Sequence, residues 1–142
     1  MKKTAVIYWS GTGNTEAMAM AVLEGARQVN PEAQLFTVSE ISADEAENYD
    51  ILILGCPAMG AEVLEETEFE PFFAELEGKI KDKRIALFGS YGWGDGEWMR
   101  EWEARVIGAS GKLAGDGLII NEAPDDEGLE KCRAFGVSAA EA

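Results

Sequence analysis

The sequence predicts an α/β fold: a parallel, doubly wound sheet with helices on both faces, in one domain over residues 1–142. Three observations predict it. Short, near-continuously apolar runs recur along the chain, as expected of strands covered on both faces. Segments of helical period lie between them. Five strands alternating with helices require crossover connections, and these give a parallel sheet. The chain has 142 residues, 46% of them hydrophobic, which suits a single core.

The elements follow in order. Thr4–Trp9 is the first apolar run. Met18, Val22, Ala26 and Val29 then fall on one helical stripe with Ala19 and Leu23 beside it, and Pro31 follows that helix. Gln34–Val38 is the second strand, and a short, weakly marked helix lies near Ala43–Asn48. Ile51–Cys56 is the third strand. Phe69, Phe72, Phe73 and Leu76 repeat at i, i+3, i+4, i+7, and Gly78 can end their helix. Arg84–Ser90 is the fourth strand. Trp98, Met99, Trp102 and Val106 form the next stripe, closed by Gly108 and Gly111, with Glu101 and Arg105 placed for an i, i+4 pair. Leu118–Asn121 is the fifth strand, and a final helix carries Cys132. The aromatic residues of the third and fourth helices read as core.

Composition narrows the chemistry. Twelve Lys and Arg against 27 Asp and Glu give a net charge of −15, which repels nucleic acid and anionic lipid and either steers the chain toward basic protein surfaces or serves solubility alone. There is no His, so Ser-His-Asp and Cys-His nucleophile systems and His-based zinc sites are excluded. Two cysteines, Cys56 and Cys132, are too few for an iron–sulfur cluster and read as free thiols in a reducing compartment. Met1-Lys2-Lys3 precedes too short an apolar stretch for a signal peptide or a membrane span, so a cytoplasmic protein is expected. Redox chemistry would have to come from a bound cofactor.

In such a sheet, ligands sit outside the carboxyl ends of the strands. Three segments of unusual composition all follow strands there. Ser10, Gly11, Thr12, Gly13, Asn14 and Thr15 join the first strand to a helix start. They offer three hydroxyls, an amide and unhindered backbone N–H groups, next to the partial positive charge of a helix N-terminus: a seat for phosphate. No Lys or Arg lies in the loop, so its donors are neutral. Pro57, Ala58, Met59, Gly60, Ala61 and Glu62 follow the third strand; Tyr91, Gly92, Trp93, Gly94, Asp95 and Gly96 follow the fourth. Trp93 between two glycines suits stacking on a planar ring, the alternative being an indole folded back onto the domain. Met59 offers polarizable contact to a ring face, and a peptide free to turn over at Gly60 would present either a C=O or an N–H to a ligand; alone, the pair also reads as a simple turn. Glu62 is either a hydrogen-bond acceptor for a ring N–H or a solvated carboxylate.

Other phosphate motifs fail. A dinucleotide fingerprint needs a third glycine where Glu16 stands, and Gly111-Lys112 is followed by Leu113 rather than Ser or Thr. The loop has no cysteine for a phosphatase, and the first strand ends without the acidic residues of a phosphoryl acceptor. A phosphate monoester on a planar aromatic compound remains the best fit.

Ser10-Gly-Thr-Gly-Asn-Thr15, Gly55-Cys-Pro-Ala-Met-Gly-Ala-Glu62 and Gly89-Ser90-Tyr-Gly-Trp-Gly-Asp-Gly96 resemble the three cofactor loops of short-chain flavodoxins of anaerobic bacteria, notably the clostridial type. The resemblance covers nearly the whole chain in order and length. It implies a flavodoxin-like sheet of strand order 2-1-3-4-5, without the long insertion that splits the last strand in the long-chain subgroup. It implies FMN as cofactor, with phosphate on Ser10–Thr15, Trp93 on the outer face of the ring, and Met59 with Ala58 on the inner side. Glu62 would accept from the flavin N3–H, and Ser90, Tyr91, Gly92, Gly94 and Asp95 would complete the contacts. The Gly60–Ala61 peptide would flip on one-electron reduction, bringing the Gly60 carbonyl to the new N5–H. Function would be low-potential, one-electron transfer between semiquinone and hydroquinone by a monomeric carrier rather than an enzyme, with basic-faced redox proteins as partners. A flavin-dependent quinone-type reductase and a non-redox phosphate-ligand module are the rival readings.

The energetics suit that role. An N5–H···O=C bond favours the one-electron form by on the order of 1 kcal/mol. An anionic, fully reduced flavin is disfavoured by each nearby carboxylate by roughly 0.4 kcal/mol at about 10 Å in bulk dielectric. Glu62, Glu65, Glu66, Glu68, Asp95, Glu97, Asp125 and Asp126 supply that charge near the loops, and the same field would attract a basic partner.

Overall fold

The structure, a computed structural model, describes residues 2–141; Met1 and Ala142, the ends of the expected domain, lie outside the described residues. Four parallel strands, β1 (Thr4–Tyr8), β2 (Gln34–Thr37), β3 (Ile51–Gly55) and β4 (Arg84–Tyr91), are ordered β2-β1-β3-β4. The expected runs extend one residue past three of these strands because pairing outlasts the ladder. Trp9 N–H donates to the Gly55 carbonyl, Val38 to Tyr8 and Cys56 to Phe88, at 3.0–3.1 Å.

The fifth position, beside β4, differs from the expected single strand. It holds two pieces in succession, β5 (Lys112–Leu113) and β6 (Leu118–Asn121), both parallel to β4. Leu113 pairs with Ile85 and Leu118 with Phe88, so the edge chain spends two more residues than β4 over that interval. The surplus leaves the sheet at Gly115 (φ +122°), and the Gly117 N–H turns to the Glu103 carboxylate on the overlying helix, 2.7 Å away.

Apolar runs are continuous because successive side chains enter two different cores. Ala5, Ile7, Leu52, Leu54, Ile85 and Leu87 face one side; Val6, Tyr8, Ile51, Ile53, Ala86 and Phe88 face the other. Each fully buried Leu or Ile contributes about 1.5–3 kcal/mol of transfer free energy. The second face is covered by α1 (Asn14–Val29) and α5 (Asp126–Ala140). These helices cross at glycines: a Cβ on Gly25 would stand 1.9 Å from the Arg133 carbonyl oxygen, and one on Gly136 would stand 2.1 Å from that of Val22.

The first face is covered by α2 (Ala43–Ala46), α3 (Phe69–Leu76) and α4 (Glu97–Gly108). Ser42 and Glu45 form a capping box that holds the short α2. The third- and fourth-helix aromatics are core, as expected. Trp102 meets the rings of Phe69 and Phe73 edge-on, at centroid distances of 5.4 and 5.9 Å. Helix α3 passes into a 3₁₀ turn, Glu77–Lys79, which contains Gly78. Arg105 does not pair with Glu101. Its guanidinium reaches across to α3, bonds Glu70 at 2.7 and 2.8 Å and Glu77 at 2.7 and 3.1 Å, and lies 4.8 Å from the Phe73 ring centroid. Two bidentate carboxylates and an aromatic face outcompete one exposed same-helix neighbour. Among the described residues no helix is long and apolar enough to cross a membrane.

Candidate functional site

The parallel sheet delivers the ends of β1, β3, β4 and β6 to one edge. After β1, the chain turns through Gly13, left-handed at φ +97°, into α1. Ser10 Oγ sits inside this turn and accepts from the N–H groups of Gly13 (3.1 Å) and Glu16 (3.2 Å). The first-turn N–H groups of Asn14 and Thr15 find no acceptor among the described residues. These are free donors at the positive end of a sixteen-residue helix. Thr15, fully buried, bonds through Oγ1 to Ser90 Oγ at 2.8 Å and so ties the loop to the end of β4.

A cleft of about 540 Å³ opens beside this loop, within the range of about 300–1,000 Å³ usual for small-ligand sites. Ser10, Gly11, Thr12, Asn14 and Thr15 form one end. Pro57, Ala58, Met59, Ser90, Tyr91 and Gly92 form the walls, so all three expected loops meet in one place. The Ala58 N–H donates to the Ser90 carbonyl at 3.0 Å, locking the second loop to the third.

The remaining expected residues stand around the rim. Met59 and Val63 pair as a tight antiparallel bridge, which leaves Gly60, Ala61 and Glu62 at a hairpin tip. Gly60 (φ +45°) has open space around its Cα. Glu62, at φ +55°, reaches across to the third loop: its Oε1 accepts from the N–H groups of Gly96 (3.3 Å) and Glu97 (3.2 Å) at the start of α4. Gly94 lies against that carboxylate, where a Cβ would stand 2.4 Å from Cδ. Trp93 is 65% exposed at the loop tip, not folded back onto the domain. Asp95 is held by Arg100 at 3.0 Å on the exterior.

Three cleft residues escape the sequence reading: Trp9, Glu122 and Ala123. Trp9 looks like the last strand residue, but the position just past a ladder belongs to the binding edge. Glu122 and Ala123 follow β6, where composition is ordinary; the strand-end rule itself pointed there. The Glu122 N–H donates to the Tyr91 carbonyl at 2.7 Å and joins this fourth loop to the third.

Among the described residues no Lys or Arg lines the cleft. The acidic residues named from the sequence differ in use. Glu65 is buried and caps α3, taking N–H groups of Thr67, Glu68 and Phe69 at 2.8 Å each. Asp125 caps α5 through the Gly128 N–H at 2.8 Å. Glu68 accepts from the Trp9 indole at 3.1 Å. Burial pushes the Tyr8 phenol above its usual range, and its hydrogen bond to Glu16 adds to the effect. Burial raises both thiols, that of Cys132 to about 11, so neither is a thiolate at neutral pH. Neutral donors at one end and an apolar, partly aromatic wall at the other fit a phosphorylated planar ligand such as FMN.

The sequence profile described as Flavodoxin matches residues 6–136. The chain is 50% identical over 131 residues to a flavodoxin of Clostridium beijerinckii, covering 92% of this chain and 94% of that one. It is 42% identical over 137 residues to a flavodoxin of Megasphaera elsdenii, covering 96% and 98% respectively. The solution structure of two-electron reduced Megasphaera elsdenii flavodoxin superposes with a TM-score of 0.88 over 98% of this chain and 99% of that one, at 40% identity.

Proposed function

The chain belongs to the flavodoxin family, and we propose that it is a low-potential, one-electron carrier that moves between the one-electron-reduced and fully reduced states of non-covalent FMN. Flavodoxins bind FMN and pass electrons between redox proteins; they are carriers rather than enzymes. The flavin supplies the redox chemistry, and the protein tunes it. The observation that carries the reading is a cation-free loop with unpaired helix N-terminal donors, in the same cleft as Met59 and Tyr91.

In this reading Ser10, Thr12, Asn14, Thr15 and the loop backbone hold the phosphate. Met59 with Ala58 and Trp93 flank the ring, and Tyr91, Gly92, Ser90 and Pro57 shape the slot. Glu62 fixes the Trp93 loop through Gly96 and Glu97, and its charge, with those of the surrounding acids, disfavours further negative charge in the cleft. Gly60, with open space at its hairpin tip, is placed to turn the Gly60–Ala61 peptide toward the ligand, and Ala61 hinders that turn more than a glycine would. The acidic rim selects basic-faced partners, and the protein acts as a cytoplasmic monomer over a single domain.

Visible absorption followed by stepwise reduction tests this. A yellow holoprotein that holds one added electron in a persistent state before accepting the second supports the proposal. A protein that takes up no FMN, or that accepts both electrons together, refutes it.

A further inference from the structure

The edge of the sheet where β1, β3, β4 and β5 begin, opposite the cleft, gathers cations. Lys2, Lys81, Lys83, Arg84 and Lys112 line a cavity of about 380 Å³ there, with Asp50 and Asp82 as its two carboxylates. The volume is within the usual range for a small-ligand site. Among the described residues none of these five cations forms an ion pair; the pairs use Lys79, Arg100, Arg105, Lys131 and Arg133 instead. That is unexpected in a chain with 27 acidic residues for 12 basic ones.

Local structure explains why they converge. Asp82 and Ser110 both take left-handed backbone at φ +66°, and the Asp82 N–H donates to the Ser110 carbonyl at 2.9 Å. The Lys112 N–H donates to the Lys83 carbonyl at 2.8 Å. These bonds lock the turn before β4 to the turn before β5 and bring Lys81 and Lys112 to one wall. Lys83 Nζ donates to the Glu47 and Tyr49 carbonyls after α2 at 2.6 and 2.8 Å. Arg84 donates to the Ser138 and Ala139 carbonyls in the last turn of α5 at 3.0 Å each. Compensation of helix C-termini accounts for these two cations. It does not account for Lys2, Lys81 and Lys112, which are exposed. Of the two carboxylates, Asp50 is already engaged by the Lys3 N–H at 3.0 Å.

We propose that this cavity is a second ligand site, which takes a di- or triphosphate chain at the pole opposite the cleft. Such a chain carries several closely spaced negative charges, which five cations around one hollow match. Lys83 and Arg84 are held in place by backbone carbonyls and lose little freedom on binding, and each keeps N–H donors for the ligand. The three exposed lysines supply the remaining donors. Binding also relieves the mutual repulsion of the collected cations. Among the described residues no aromatic side chain lines the cavity, so the phosphate chain is recognised and not a ring attached to it. A lysine in contact, about 4 Å from a phosphate charge, changes the binding constant about five-fold in bulk dielectric.

Calorimetric titration of the protein in saturating FMN, which keeps the cleft occupied, with inorganic tripolyphosphate, ATP or inorganic phosphate tests this. Tripolyphosphate and ATP bind saturably and inorganic phosphate more weakly. Lys81→Gln and Lys112→Gln each weaken tripolyphosphate about five-fold, and Lys81→Arg retains it. Lys131→Gln removes the same charge from α5 about 12 Å along the helix from the Ala139 contact, beyond the screening length of about 10 Å in about 0.1 M salt, and changes binding less than about two-fold. Tighter binding of ATP identifies a nucleotide tail as the ligand, tighter binding of tripolyphosphate a free chain, and either supports the proposal. Absence of saturable tripolyphosphate binding overturns it, as does binding of polyglutamate in place of both phosphate compounds. Wild-type affinity in the Lys81 and Lys112 glutamine variants, or an equal loss in Lys131→Gln, also overturns it.

Discussion

Glu65→Gln reports directly on how the second loop and the start of α3 hold together. The carboxylate is 4% exposed and accepts the N–H groups of Thr67, Glu68 and Phe69 at 2.8 Å each, with the Thr67 hydroxyl as a fourth donor. Burial alone pushes its pKa up, but these hydrogen bonds, led by that of Thr67, outweigh it and hold the pKa below the usual glutamate value. Glutamine keeps one acceptor oxygen and turns an NH₂ toward the remaining donors. Hydrogen bonds to a charged group contribute about 1.5–3 kcal/mol each, so losing one and weakening the others costs about 3 kcal/mol. Because the folded pKa lies below the unfolded value of about 4.3, the charged form's stabilisation is complete well above that value and is lost as pH falls through the folded pKa. Urea unfolding of wild type and variant from pH 7 to pH 3 therefore shows a gap of about 3 kcal/mol at neutrality that narrows in acid. A gap under about 0.5 kcal/mol at pH 7, or one that does not change with pH, refutes the reasoning.

Two further predictions concern the rim of the cleft. Glu62→Gln removes one negative charge and weakens two N–H contacts at the start of α4. At roughly 0.4 kcal/mol per charge at about 10 Å, the second reduction potential of the holoprotein rises by on the order of 20 mV, and an unchanged or lower potential in a redox titration counts against the placement. Gly60→Val puts a β-branched side chain at φ +45°, a left-handed conformation that costs an L residue about 1–2 kcal/mol. A smaller maximum of one-electron-reduced flavin in the same titration is expected, and an undiminished maximum removes Gly60 from its switching role.

The central strands were readable because β1, β3 and β4 are buried on both faces and so leave unbroken apolar runs, while their order came only from the resemblance of the three loops. The break between β5 and β6 was not, since a two-residue surplus at an edge strand disturbs neither periodicity nor composition. The pairing of Arg105 with Glu70 and Glu77 was invisible for a related reason: helical spacing reveals same-helix neighbours only, while the stronger partners come from α3 and the turn after it. Three of the four loops at the binding edge announced themselves by glycines, small polar residues and an isolated tryptophan. The fourth, with Glu122 and Ala123, has no such mark. Nor does sequence show that the Thr15 hydroxyl is shared with Ser90, or that Glu62 caps α4, because both links join loops far apart in the chain.

The central claim is that uncharged donors in the Ser10–Thr15 loop grip a phosphate. Titrating apoprotein with FMN and with riboflavin, in the wild type and in Thr12→Val with Thr15→Val, measures it most directly. Several neutral hydrogen bonds at about 0.5–1.5 kcal/mol each, with the helix dipole, predict FMN at least about 100-fold tighter than riboflavin in the wild type, and a far larger loss of affinity for FMN than for riboflavin in the variant. Equal affinities for the two ligands in the wild type, or equal losses for both in the variant, would contradict it.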